Sequence, residues 1–395
     1  MNKLVLHVGP GKCGSSTIQE FFIANEKPCA EKLNFIFLDA NEILKLSSID
    51  PSEDSTEYFT SLIRNSIETN EVTILSHEFL FSKRHAIKHI CSIAKHLVDE
   101  ILIIGYSRKQ SGFTVSSYSQ WFFRSPERIS EANKGLIAMG LDPIYFSGLE
   151  RHLIASISND FYTARQMSDD SILNWNNSYG EVEQLTAPFG VKIRCGNLPQ
   201  RDAPKNLIED FCEKAGLTIT AECKDLTNVT SNVKFNGDLI EAISVATEQG
   251  LVAPNPHLDN EFLSEVSKDI TSASFTDEAF LSILKQYIDS YYLESNLEFS
   301  EKYDLDKGFF EVNKKVSKVE IIELIKNEQS KRAQNNLIIN RYKELTGIMA
   351  ELLFKLHKDQ PPIQNTSFLK RIISNFFVER SYKKIMQSVL PERSK

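Results

Sequence analysis

Gly9, Lys12, Gly14, Ser15, Ser16 and Thr17 crowd into one stretch, LVLHVGPGKCGSSTIQEFF (4–22), and these residue types at this spacing can hold an anion. The stretch reads as strand, glycine turn, helix. Such a turn aims backbone N–H groups and the positive end of a helix dipole at a phosphate-like group. Gly9, Gly11 and Gly14 permit positive φ and close backbone approach. The three hydroxyls fall at the helix start, where they cap the helix or bond an anion. Lys12 adds a movable cation. The spacing nearly spells the triphosphate loop G-x-x-x-x-G-K-[ST], but Ser15 follows Gly14 and the lysine lies earlier, at Lys12.

A triphosphate site also wants an aspartate at the end of a nearby strand to hold Mg²⁺. The run ILIIGYS ends in Ser107 and Arg108, and VTILSHE ends in Glu78. A dinucleotide loop, G-x-G-x-x-G, predicts no lysine and wants an acid after the second strand, for which Asp39 is the candidate. Cys13 sits inside the loop, either as a redox-sensitive thiol or as a small residue that fits.

The elements that must carry this loop are legible as short apolar runs. LVLHV (4–8), FIFL (35–38), VTILS (72–76), ILIIGYS (101–107) and VKIRC (191–195) are nearly continuous in apolar character. That is the pattern of strands buried on both faces of a parallel sheet. Between them lie helical patterns such as STIQEFFIAN and PKNLIEDFCEKAG, the latter closing on Gly216 as a C-terminal cap. The expected class is α/β with βαβ crossovers.

With 395 residues the chain can bury a large core, and length alone suggests two or three domains. A net charge of −8 argues against non-specific nucleic-acid binding. The apolar start, Met1 to Val8, is broken by Gly9, Lys12 and Gly14, so no secretory signal is expected, and no transmembrane helix either. The six cysteines form no C-x-x-C pair, which argues against a zinc site and fits buried reduced thiols in a cytoplasmic protein.

LHVGPGKCGSSTIQ resembles the 5′-phosphosulfate-binding loop of sulfotransferases, especially the bacterial branch with H-x-G-x-x-K-[ST]-G-[ST]-[ST]-x-x-Q. The resemblance implies that Lys12, Gly14, Ser15, Ser16 and Thr17 bind the 5′-phosphosulfate of PAPS (3′-phosphoadenylyl sulfate). Cys13, in the same binding set, stands where the family has Thr or Ser. ILIIGYSRKQSGFTVSSYSQ resembles the family's 3′-phosphate motif, with Arg108 at the strand end and Ser116 in the next helix. Arginine offers a planar fork to phosphate oxygens. GVKIRCGNLPQRDAPKNLIEDFCEKAGL resembles the family's late strand and its F-x-x-x-x-G helix end, although Cys195-Gly196-Asn197 departs from the usual charged run. The likeness covers residues 1–310, most strongly the first 120.

What this implies is a P-loop-like three-layer α/β/α domain with a central parallel sheet of about five strands, plus a helical C-terminal region. The implied reaction moves a sulfuryl group from PAPS to a hydroxyl of a carbohydrate or glycan acceptor, leaving PAP (3′-phosphoadenosine 5′-phosphate), with no metal. Lys12 would stabilise the leaving group, and the base belongs at the end of a strand beside the first. Glu78 is the candidate there and His77 the second; capping the next helix or pairing with Arg108 are the other roles open to Glu78. His7 is expected as a packed, hydrogen-bonded strand-end residue. For the acceptor, QWFFRSPERISEANKG (120–135) offers Trp121 and Phe122 to sugar faces and Arg124 and Arg128 to acidic groups; a surface lid fits equally well. The rivals are a P-loop nucleotide-dependent kinase or transferase, and a non-catalytic scaffold on the same fold.

Beyond 310 the chain changes character. Residues 311–357 read as a long helix or helical hairpin, in which Ile338, Tyr342, Leu345, Met349, Leu352 and Leu356 form a seam of about three heptads. Dimerisation through 337–357 and packing on the chain's own domain both fit. Residues 358–395 read as a linker and an amphipathic helix in which Lys370, Arg371, Arg380, Lys383, Lys384, Arg393 and Lys395 oppose only Glu379 and Glu392. Segment 366–390 therefore suits the inner face of an anionic membrane, a partner helix, or the preceding helices.

Overall fold

The computed structural model describes residues 2–25, 27–159, 161, 166–200, 203–220, 223, 235–248, 277–312 and 315–334. The heptad seam and the basic C-terminal segment lie outside these residues. In chain order the elements begin β1 (Lys3–His7), α1 (Ser15–Ala24), β2 (Leu33–Phe37), α2 (Ala40–Leu46), α3 (Glu53–Ile67), β3 (Val72–Ser76), α4 (Phe79–Ser82), α5 (Arg84–Ala94) and β4 (Glu100–Ser107). They continue with α6 (Gln110–Gln120), α7 (Pro126–Ala138), α8 (Gly148–Ala155), α9 (Trp175–Thr186), β5 (Lys192–Asn197) and α10 (Leu207–Ala215). The last are α11 (Gly237–Glu248), α12 (Glu278–Tyr291), α13 (Leu293–Lys302) and α14 (Lys318–Gln334).

The five apolar runs form one sheet, all parallel, in the order β2-β3-β1-β4-β5. β1 is central. His7 lies opposite Ser76 of β3 on one side and Ile104 of β4 on the other. Side chains alternate across the sheet. Leu4, Leu6 and Val8 join a core with residues of α2, α3, α5, α9 and α13, whereas Val5 joins a second core with α1 and α10. Both faces are therefore covered, which is why the inner strands β1, β3 and β4 read as continuous apolar runs, whereas the edge strands β2 and β5 are only partly buried.

Close packing around β4 depends on one missing side chain. A Cβ on Gly105 would lie 2.2 Å from the Tyr179 hydroxyl of α9, which donates to the Tyr106 carbonyl at 3.3 Å. On the opposite face the Tyr106 hydroxyl donates to Asp210 of α10 at 2.8 Å. The α10 terminus follows its sequence cues: Asn206 and Glu209 form a capping box, and Gly216 closes the helix at φ 66°.

The described chain divides into two compact units that interleave along the sequence. The sheet unit comprises residues 1–113, 163–232 and 285–316; the second comprises 114–162, 233–284 and 317–395. The described part of the second unit is built from helices. Gly135 lets α7 approach α8, since a Cβ there would lie 3.0 Å from that of Ala155. Its buried polar centre is Glu150, which caps α8 through a box with Ser147 and takes a two-pronged ion pair from Arg332 of α14 at 2.7 and 2.9 Å. The same guanidinium lies over the Phe146 and Phe280 rings.

Candidate anion-binding site at the end of β1

The loop from Val8 to Gly14 leaves the C-terminal end of the central strand, the edge where open parallel sheets bind ligands. Val8 still bonds back to the Ile104 carbonyl at 2.9 Å, so the loop starts from a rigid base. α1 begins at Ser15, placing Ser15, Ser16 and Thr17 in its first turn as their hydroxyl-rich pattern suggested. Its cap residue is Gly14, which has no side chain to accept the first N–H groups, and no acidic residue occupies the first turn. Neither the cap residue nor the first turn of α1 supplies a counter-charge to its positive end.

The glycines serve differently from the sequence expectation. Gly14 does adopt positive φ, at 90°, but the other left-handed residue of the loop is Lys12, at φ 71°. Gly9 has no positive φ, and a Cβ there would sit at ordinary contact distance, 3.5–3.6 Å, from His7, Tyr106 and Ser15. A non-glycine residue at positive φ carries strain, and such strain clusters where backbone geometry is functional.

Arg108, the residue after β4, reaches this loop. Its Nη1 donates to the Lys12 carbonyl at 3.2 Å, and the indole of Trp175 donates to the Arg108 carbonyl at 2.8 Å, fixing both ends of the residue. Gly112 lies so close that a Cβ would be 3.0 Å from Arg108 Nε. The structure therefore brings Lys12, the α1 start and the Arg108 guanidinium into one neighbourhood. Ser116 lies on α6, half-buried, within the residues of the second unit.

Cys13 takes a different place from its neighbours. Its side chain is wholly buried in the α1/α10 core, its N–H bonds to the Pro10 carbonyl, and burial pushes its thiol up to about 12. A redox-sensitive thiolate needs exposure and a depressed pKa, so the small-residue reading describes this site. Neither side chain nor N–H is presented for an anion. All six cysteines are buried and unbridged.

At the end of β3, His77 and Glu78 part company. His77 Nδ1 accepts the Phe79 N–H at 2.9 Å, so His77, rather than Glu78, serves the start of α4. Burial holds its pKa below the ordinary value. With Nδ1 occupied, the neutral ring carries its proton on Nε2 and has no basic nitrogen left. Glu78 is half-buried, and its carboxylate takes no hydrogen bond or ion pair from any described residue, Arg108 included. Beside it, Phe37 and Phe79 flank the His77 ring at 5.0 and 5.1 Å and are themselves 53% and 41% exposed. This aromatic edge was not singled out in the sequence. Two of its residues come from different strands' ends, and only sheet order makes them neighbours.

Two further sequence candidates are otherwise engaged. Asp39 caps α2 by accepting from Asn41 and Glu42, which occupies the acid a dinucleotide site would use. Phe122 and Arg124 are buried in the second unit, where Phe122 packs on His152, and Arg128 pairs with Glu131 at 2.7 Å. Phe122 is therefore not a face open to sugars; Trp121 remains half-buried. Among the described residues no group of three His, Cys, Asp or Glu could hold a metal ion, and no helix is long and apolar enough to cross a membrane.

Comparison of the chain with protein-family models, with curated proteins and with solved structures gives no match.

Proposed function

We propose that the chain is a PAPS-dependent sulfotransferase built on a P-loop-like three-layer α/β/α fold, acting on a hydroxyl of a carbohydrate or glycan. One observation carries this reading: the Arg108 guanidinium donates to the Lys12 carbonyl at 3.2 Å, joining a strand-end arginine to a loop lysine at an uncapped helix start. Two separated cationic groups beside one anion cradle suit a donor with a 5′-phosphosulfate and a second phosphate. In this scheme the loop N–H groups and Lys12 hold the phosphosulfate, and Arg108 holds the 3′-phosphate.

The acceptor hydroxyl attacks sulfur in line with the bridging oxygen. An S–O bond forms to the acceptor as the S–O bond to the phosphate breaks, and PAP departs with the electron pair. Lys12 stabilises the charge growing on the bridging oxygen, and Glu78 takes the acceptor's proton. Glu78 suits this role because it has no partner among the described residues, whereas His77 has its basic nitrogen occupied. The exposed rings of Phe37 and Phe79 offer a stacking surface for an acceptor sugar beside Glu78.

Titration with PAP and, in parallel, ATP·Mg²⁺, followed by thermal shift, tests the donor site. PAP binding without metal, lost in Lys12→Ala and Arg108→Ala but kept in Glu78→Gln, is expected. ATP·Mg²⁺ binding without PAP binding would replace this reading with a nucleotide-dependent transferase. Binding of neither would favour a non-catalytic scaffold.

A further inference from the structure

One buried polar group at the loop has no role in the scheme above. His7, the last residue of β1, is 1% exposed and packs edge-on against Phe211 at 5.4 Å. Its Nδ1 lies 2.8 Å from Ser76 Oγ, and the same oxygen receives the Gln19 amide at 3.1 Å. The Gln19 amide donates to Ser76, and the serine's own proton has no acceptor among the described residues but His7 Nδ1, so the arrangement that uses every hydrogen sends it there. This network assigns the ring proton to Nε2.

Among the described residues Nε2 has no hydrogen-bond partner. Buried donors are almost always satisfied, and an exception at a loop calls for a missing acceptor. The atom faces the space under Gly9: a Cβ there would lie 3.5 Å from Nε2 and 3.6 Å from Ser15 Oγ. Ser15 Oγ itself has only a long bond to the Gly9 carbonyl, at 3.4 Å. An N–H and an O–H thus converge beneath the loop at the uncapped start of α1, with glycine keeping the space open.

We propose that His7 is a neutral donor of the anion site, its Nε2–H hydrogen-bonding an oxygen of the anion held by the loop, with Ser76 and Gln19 orienting the ring. The ligand class is a phosphate or phosphosulfate oxygen. The inference deepens the sulfotransferase reading, but needs from it only that the loop binds an anion.

The test uses the full-length chain with PAP and inorganic pyrophosphate as probes, on His7→Gln, His7→Asn and Gly9→Ala. Glutamine carries an N–H at the reach of Nε2; asparagine carries one only at the reach of Nδ1. Asparagine is expected to weaken the probe about ten- to hundredfold, as for a lost hydrogen bond to a charged group, and glutamine to restore it to within about threefold. Gly9→Ala, whose added Cβ makes only ordinary contacts, is expected to weaken binding while leaving the unliganded thermal midpoint near that of the parent. The His7 Nε2–H resonance is expected to move downfield on saturation. Equal loss in the glutamine and asparagine variants, an unmoved resonance, or a water rather than ligand oxygen at Nε2 in the PAP complex would overturn the inference. If pyrophosphate binds and PAP does not, the sulfotransferase reading fails while His7 is judged on pyrophosphate. Binding of neither overturns both.

Discussion

Burial of His7 makes the stability of the sheet unit sensitive to acid in a calculable way. Burial holds its pKa down at about 4, against an ordinary value of 6.5. Above the ordinary value the imidazole is neutral in both the folded and unfolded chain, and it costs nothing. As pH falls, the unfolded chain takes up the proton first, so stability is lost between about 6.5 and about 4. The loss works out at about 2 kcal/mol by about pH 5 and about 3 kcal/mol by about pH 4. His7→Gln keeps a polar side chain but cannot titrate. Urea unfolding of parent and variant at about pH 7.5 and about pH 5 would give the double difference. Trp175 is fully buried in the sheet unit, and with Trp121→Phe as the background it becomes the sole tryptophan reporter. The parent should lose about 2 kcal/mol more than the variant over that interval. Equal losses would mean that His7 is not a buried neutral imidazole, and the tautomer argument built on it would fall.

Other outcomes follow from the same geometry. Gly14→Ala sets a Cβ at φ 90° and 2.3 Å from Leu207 Cδ2, so thermal unfolding should show a loss of about 1–3 kcal/mol. Leu207→Ala should recover only part of it, because the backbone strain remains. Native Cys13 should resist a thiol reagent at about pH 8, and mass spectrometry should find it labelled only after unfolding; fast native labelling would contradict its burial. Arg332→Met leaves the buried Glu150 carboxylate without its guanidinium, which should destabilise the helical unit by about 3–5 kcal/mol in limited proteolysis or denaturant unfolding. The double variant Arg332→Met/Glu150→Gln should recover part of that loss.

Local signals carried far in this chain. The five apolar runs are the five strands; the inner three, β1, β3 and β4, are buried along nearly their whole length, and such a run is visible without knowing its neighbours. The start of α1 at Ser15 and the end of α10 at Gly216 follow from hydroxyl and glycine preferences that act within one turn. The loop around Lys12 was legible for the same reason: a glycine turn leading into a hydroxyl-rich helix start is written in neighbouring residues.

What crosses the chain was not legible. That Arg108 donates to Lys12 and that His7 shares Ser76 with Gln19 depend on β1 lying between β3 and β4, and that Phe37 meets His77 depends on β2 lying beside β3. Composition also could not tell which loop residue would be left-handed: φ at Lys12 is imposed by the path from a fixed strand end to a fixed helix start. Nor could it tell that Cys13 turns into the core or that Asp39 caps α2, since each is a competition between local partners and packing. The sequence alone determined which segments are strands and where the glycine- and hydroxyl-rich loop after β1 stands. The tertiary structure decided which distant side chains meet there, because pairing among parallel strands is set by long-range packing that no short window of residues contains.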